Sequence, residues 1–379
     1  MKVLEYDKVG DWMRLISTSS LTTDDYLAKA IYNDRGRILV QAGTPLTKRM
    51  IARLSELNVT YVYIEDEHTS DIEVTSSISD ERRQEAMNQI ETTFQMMKES
   101  PDYIKSFITN RTAESMGSTV RSIIEDIQKH NEVVTLLSDV FSYDNYIFSH
   151  SVNVTVYSLA LGMEMGLNRN QLEQIGFGAM LHDVGKMFTP KEILFKPSRL
   201  TDEEYGIIKQ HTTTGFNMLR KAPNIPLVSA HCAYQHHERL NGTGYPRGIE
   251  ADDIHLYAKI IGIADVFDAV TSNRVYRRAM LPHEGMEVLY AGADTLFDYE
   301  MIQHFRRSIA LYPNGLTVHL SDGKSGVVFQ QNNQVSDRPI VRVLEHHQQR
   351  LRQPYLFDLS KHLNVIVKEC ETTLVQQTS

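Results

Sequence analysis

The sequence predicts a mainly α protein, with a helical core set between a small mixed α/β module at its N-terminal end and a small β-containing region at its C-terminal end. Three observations lead there. Apolar positions recur at helical spacing from about residue 86 to residue 310, and the stretch 150–167 is apolar nearly all round, the pattern of a central buried helix. Strand-like runs occur only toward the two ends, as RILV at 37–40, TYVYI at 60–64 and VRVL at 341–344. At 379 residues the chain exceeds one ordinary core, and the patterns divide it into an accessory module over 1–75, a linker with connecting helices over 76–119, a helical domain over 120–310 and a β-containing tail over 311–379.

In the front module a helix is expected between the two strand-like runs, with Thr44 as N-cap, Pro45 in the first helical position and an apolar stripe through Leu46, Met50, Ile51, Leu54 and Leu57. Residues 66–85 are acidic and rich in Ser, Thr and Glu, the composition of an exposed linker. Few glycines and several helical periodicities then predict connecting helices up to about 140. Thr201 and Glu204 form a capping box that opens a helix running toward His211. Beyond 311, GLTVHL and GVVFQQ flank Ser-Asp-Gly-Lys, which predicts a hairpin.

A hydrophobic content of 41% and a charged content of 23% are those of a folded globular chain, and a formal charge of -9 argues against binding polymeric nucleic acid. Cys232 and Cys370 are the only cysteines and neither belongs to a CxxC motif, so a reducing, cytoplasmic setting is expected. No secretory leader and no run of about 18 apolar residues is present, so no membrane association is expected. Histidine stands out: there are fifteen, six of them between His150 and His237.

The motif LHDVGKM places His182 beside Asp183, about 100° apart on a predicted helix, with Lys186 one turn beyond His182. One carboxylate in such a place can bridge two cations, and the lysine faces an anion. In QHHERLNGTGYPRG, His236 and His237 end a helical segment just before a turn in which Gly242 and Gly244 allow unusual backbone conformations. In IIGIADVFDAVTSNRVYRR, Asp265 is embedded in an apolar run, where a carboxylate is rare unless paired or metal-bound. Asp268, one turn later, suits a supporting role behind a ligand, and Arg274 and Arg277 match phosphate oxygens. His150 and His211 sit in separate apolar helices. Each of these signals alone is a common structural feature; their combination points to a transition-metal site. His346 and His347, in the polar run EHHQQRLRQ, show what such a pair looks like without that context.

Taken together, His150, His182-Asp183, His211, His236-His237, Gly244-Tyr245-Pro246 and Asp265 resemble the HD-GYP family of metal-dependent phosphohydrolases over about 120–310. The resemblance implies an HD-type helical catalytic core that hydrolyses cyclic di-GMP to pGpG, as typical members do, some of them continuing to GMP, with a metal-held hydroxide as nucleophile. It also implies His150, His182, Asp183, His211, His236, His237 and Asp265 as metal ligands, Asp183 and Lys186 as catalytic residues, and Lys186, Arg274, Arg277 and Tyr245 as substrate contacts. Tyr146 stands where members with a third metal have Glu, so two ions, iron or manganese, are expected; Thr212 replaces a common Pro without altering a ligand. The expected partners are cyclic di-GMP, diguanylate cyclase-type signalling proteins and a second copy of the chain. Hydrolysis of another cyclic dinucleotide or nucleotide, and a catalytically silent sensor of cyclic di-GMP, are the competing readings.

Overall fold

The computed structural model describes residues 13–32, 38–57, 59, 61–66, 69, 72, 77–99, 110–130, 146–222, 224–272, 280–332, 335–347 and 349–370. They fall into two compact units, one built from residues before 76 and after 309, the other from those between.

In the first unit, β1 (Arg14–Ser17) pairs antiparallel with β4 (Tyr61–Ile64), and β2 (Ile31–Tyr32) with β3 (Ile38–Val40). The helix α1 (Lys48–Glu56) starts later than the sequence suggests, because Thr47 caps it by accepting from Met50 N–H. Thr44 and Pro45 are committed elsewhere: Leu27 N–H donates to Thr44 O, Pro45 bridges to Tyr26, and the extended backbone there cannot also begin a helix. Leu27, Leu46, Leu54 and Val62 close a small core.

The tail supplies the rest of this unit. The predicted hairpin is β5 (Thr317–Leu320) with β6 (Lys324–Gln330), and β7 (Ile340–His346), β8 (Gln349–Asp358) and β9 (Val367–Cys370) extend it to a five-stranded antiparallel sheet in the order β8-β7-β6-β5-β9. Front and tail are joined by backbone and side chain: Leu15 N–H donates to Gly315 O at 2.8 Å, and Arg14 Nε donates to Thr317 Oγ1 at 3.0 Å.

The second unit is helical: α2 (Asp80–Glu99), α3 (Asn110–His130), α4 (Tyr146–Glu164), α5 (Arg169–Leu181), the short α6 (Lys191–Leu194), α7 (Asp202–Leu219), α8 (Leu227–Gln235), α9 (Leu256–Thr271), α10 (Pro282–Ala291) and α11 (Tyr299–Ser308). A mainly α fold is what the sequence predicts. The stretch read as an exposed linker is only partly one, since α2 begins inside it and Ile72 and Ile78 are fully buried. As its all-round apolarity requires, α4 runs through the middle, packed by α2, α5, α9 and α11. The capping box of Thr201 and Glu204 opens α7. Among the described residues no helix is long and apolar enough to cross a membrane.

Beneath the far end of α4, Tyr157, Phe267 and Phe305 meet edge to face with centroids 4.9 to 5.9 Å apart. Phe305→Ala removes the ring of a fully buried residue from this triangle and should cost about 3–5 kcal/mol, read as a lower urea midpoint. A loss below about 1 kcal/mol would show that the triangle does not anchor α11.

Candidate metal centre

The site is assembled where five helices end or cross. α5 stops at Leu181, so His182 is its C-cap and Asp183 leads into a 3-10 turn over Val184–Phe188. The sequence reading put His182, Asp183 and Lys186 on one continuous helix; the break instead turns the Asp183 carboxylate back among the imidazoles. The turn is tight against α7, and a Cβ at Gly185 would lie 1.9 Å from His211 O, so any side chain there would force the two segments apart. Lys186 follows at i+3 from Asp183, its Nζ 2.5 Å from Oδ2, instead of rising along a helical face above His182.

His150 comes from the first turns of α4, His211 from α7, His236 from the C-cap of α8 with His237 next to it, and Asp265 from α9. Each carboxylate divides its oxygens between two sets of rings. Asp183 Oδ1 lies 3.4 Å from His211 Nε2 and 3.8 Å from His236 Nε2, while Oδ2 lies 3.4 Å from His182 Nε2 and 3.6 Å from His150 Nε2. Asp265 Oδ1 lies 3.0 Å from His150 Nε2, and Oδ2 lies 3.7 Å from His237 Nδ1. All seven residues singled out as ligands are thus brought together, as two groups of donor atoms, His150-His182-Asp183 and His211-His236-His237, with Asp265 between.

The protons on the rings are fixed by what they touch. His182 Nδ1 donates to Ala179 O, His211 Nδ1 to Ile208 O and His236 Nδ1 to Cys232 O, at 2.7, 2.6 and 3.1 Å. A carbonyl only accepts, so Nδ1 carries the hydrogen and each Nε2 presents a lone pair. His211 Nε2 and His236 Nε2 then face each other at 3.4 Å, and His182 Nε2 and Asp183 Oδ1 are buried with no hydrogen-bond partner among the described residues. Converging lone pairs and carboxylate oxygens in a buried pocket fit a divalent cation, and imidazole with carboxylate fits a transition metal.

Electrostatics agree with that fit. Burial lowers the pKa of His182, His236 and His237 and brings His211 to about 4, which keeps these rings in the neutral form that binds metal. For His150 burial also opposes the charged form, but the hydrogen bonds and charges of Asp265 and Asp268 prevail and raise it to about 9. Burial pushes the Asp183 carboxyl up, yet Lys186 and the surrounding imidazoles hold it well below the usual range. Asp265 is held down likewise against burial, first by its hydrogen bond to His150.

Asp268, expected behind the ligands, accepts from His150 Nδ1 at 2.7 Å. Tyr245 stacks on His237 with centroids 4.6 Å apart, at the wall of the pocket, where Lys209 Nζ lies 4.6 Å from the Tyr205 centroid and 5.5 Å from that of Tyr245. Arg274 and Arg277 lie outside the described residues. His231 packs on Phe216, away from the cluster. Sequence reasoning missed Glu238 and Arg239. The buried Glu238 carboxylate accepts from Arg247 N–H and Ile249 N–H, and Arg239 Nη1 donates to His236 O and Glu238 O, so together they clamp the loop that follows His237. Gly242, at φ 74°, makes the turn in that loop. A buried acid followed by a half-buried base would have been visible only as the dipeptide Glu-Arg, which usually marks a solvated face.

Residues 119–301 match the HD domain family. A cyclic di-GMP phosphodiesterase of Pseudomonas aeruginosa is 33% identical over 224 residues, which are 59% of this chain and 54% of that protein. A cyclic di-GMP phosphodiesterase of Thermotoga maritima is 33% identical over 219 residues, 56% of this chain and 57% of that protein. The 3'3'-cGAMP-specific phosphodiesterase 1 of Vibrio cholerae is 34% identical over 199 residues, 50% of this chain and 45% of that protein. The chain spans about half the length of the curated relatives it matches.

The titrations set the pH dependence of the chelated chain. His211 titrates at about 4 folded against about 6.5 unfolded, so the unfolded chain binds more protons in that window and stability rises with pH through it. His150 has the opposite sign: at about 9 folded, it makes stability fall as pH rises from about 6.5 to 9. Urea midpoints in chelator should therefore peak near pH ~6.5, with His211 alone accounting for about 3 kcal/mol of the acid limb. A flat profile between pH ~4 and ~9 would contradict these buried titrations.

Proposed function

We propose, from the HD domain that residues 119–301 carry, that this chain is a metal-dependent phosphodiesterase hydrolysing cyclic di-GMP to pGpG and on to GMP. The observation that carries the reading is the pair of buried carboxylates, Asp183 and Asp265, each with one oxygen toward either set of histidines. Two transition-metal ions, iron or manganese, suit a set of five imidazoles and two carboxylates better than magnesium, which seeks oxygen. When bound they supply a water that ionises near neutral pH and neutralise charge on the phosphodiester.

The chain's own residues do the rest. His182, His211, His236 and His237 enter as neutral donors, His150 gives up its Nε2 proton to join them, and Asp183 and Asp265 hold the two positions together. Lys186, only 14% exposed, places a cation at the pocket beside Asp183, where a phosphodiester or its departing oxygen gathers negative charge. Tyr245 offers a flat apolar wall, and Arg274 and Arg277 are assigned to the dinucleotide phosphates from the sequence alone. Tyr146, the first residue of α4, supplies no carboxylate for a third ion. The buried Cys232 and Cys370, in no CxxC motif, fit a cytoplasmic enzyme, with diguanylate cyclase-type proteins and a second copy of the chain as partners. Hydrolysis of 3'3'-cGAMP is the second reading, favoured by the Vibrio cholerae relative of that name.

The deciding experiment is metal analysis of anaerobically purified protein with turnover of cyclic di-GMP, 3'3'-cGAMP and cyclic di-AMP. Two ions per chain and preferred cleavage of cyclic di-GMP are expected. Three ions in the site, or preference for another nucleotide, would correct the count or the substrate. Asp183→Ala should abolish metal loading and turnover together; a variant with full metal and wild-type rate would sink the assignment.

Arg274→Ala and Arg277→Ala should each leave metal content unchanged and lower kcat/KM for cyclic di-GMP by about 10- to 150-fold, the worth of one charge-assisted contact. A rise in KM alone would mean that the contact is equal in ground and transition states. Unaltered kinetics in the double variant, at full metal content, would show these arginines to be only a solvated helix end.

A further inference from the structure

Behind His150 a buried chain of hydrogen bonds runs outward from the metal pocket to a helix that lies ahead of the matched HD domain. Asp268 Oδ2 accepts from His150 Nδ1 at 2.7 Å, and Asp268 Oδ1 accepts from Asn153 Nδ2 and Ser272 Oγ, both at 2.8 Å. Asn153 Oδ1 in turn accepts from Arg83 Nη1 at 2.7 Å. Arg83 is 6% exposed, Asn153 4% and Asp268 1%, so the links from Arg83 to His150 are out of water.

The chemistry leaves one arrangement. Guanidinium only donates and carboxylate only accepts, so the Asn153 amide between them has its oxygen toward Arg83 and its nitrogen toward Asp268. With Oδ1 of Asp268 taken up by two donors, Oδ2 is left for His150, which holds the ring proton on Nδ1 and aims Nε2 at Asp183 and Asp265. Arg83 belongs to α2, and α2 also packs against the 3-10 turn that carries Lys186. One helix outside the HD match therefore braces both sides of the pocket.

We propose that Arg83 and Asn153 are positioning residues for the metal centre: through Asp268 they set the orientation and tautomer of His150, so that α2 controls metal affinity from outside the HD domain. This rests on the reading of His150 as a metal ligand. Losing the guanidinium leaves the buried Asn153 Oδ1 without its donor, and an amide that shifts to find another loosens its Nδ2 hold on Asp268 and so the place of that carboxylate behind the imidazole. Partners in this position commonly change metal affinity by about 10- to 100-fold.

The test measures Mn2+ and Fe2+ affinity by chelator competition on the full chain, with thermal unfolding as a parallel readout. Arg83→Met and Asn153→Ala should each weaken binding by about 10- to 100-fold, and Arg83→Lys, which keeps a donor for Asn153, should recover most of the loss. In the double variant Arg83→Met with Asn153→Ala the loss should match the larger single one, because breaking either link already releases Asp268. Should Arg83→Met not fold, Arg83→Lys and Asn153→Ala carry the comparison. Wild-type affinity in folded Arg83→Met, losses that multiply in the double variant, or Arg83→Lys as weak as Arg83→Met would each overturn the inference while leaving the metal reading intact. A wild-type chain that takes up neither Mn2+ nor Fe2+ would overturn both.

Discussion

Two carboxylates held inside a helical core are the constraint on which the rest of this molecule depends. Asp183 and Asp265 are buried at 0% and 5% exposure, and an ionised carboxylate cannot be kept there without positive charge or donors around it. Lys186 supplies one cation and protonated His150 another, yet the imidazoles of His182, His211 and His236 turn lone pairs inward instead of N–H groups. The protein has thus surrounded its acids with more acceptors, an arrangement that makes electrostatic sense only around cations. Helix breaks at His182 and His236 follow from the same need, since a continuous helix would carry these side chains past the acids in place of folding them around.

The proposed ligands were legible in the sequence because the candidate cluster is written in residue type: His and Asp in otherwise apolar helices have few other reasons to be there. Their spacing carried less. His182-Asp183 reads as two adjacent helical positions, but whether α5 continues or stops depends on how closely Gly185 is pressed against His211, a contact between distant segments. Arg83 was invisible for the same reason. Its partner Asn153 is 70 residues away, and an arginine in DERRQEAMNQ looks like one charge on a solvated helix.

The β regions show where periodicity fails outright. β5 and β6 were readable from alternation and a Ser-Asp-Gly-Lys turn, whereas β8, QRLRQPYLFD, is polar, holds a proline and is exposed along most of its length, as an edge strand may be without losing its pairing to β7. That the front module and the tail make one unit could not be seen at all, because Leu15 meets Gly315 through backbone groups that every residue possesses. Thr44-Pro45 misled for a related reason. The signals for a helix start are local, and pairing with Tyr26 and Leu27 overrode them.

Lys186 links the charge balance of the pocket to its proposed chemistry. In the arrangement described, its ammonium neutralises Asp183 through Oδ2, the oxygen that also faces His150 and His182. A cation seated among those three groups would take over that neutralisation and weaken the hold of Asp183 on Lys186. The lysine is tethered at i+3 in a tight turn and only 14% exposed, so it cannot leave the pocket; it can only redirect its charge toward whatever anion enters. In the proposed reading the same residue steadies the buried acid before metal arrives and meets a phosphodiester afterwards, which would account for a fold already rich in imidazoles also burying an ammonium beside them.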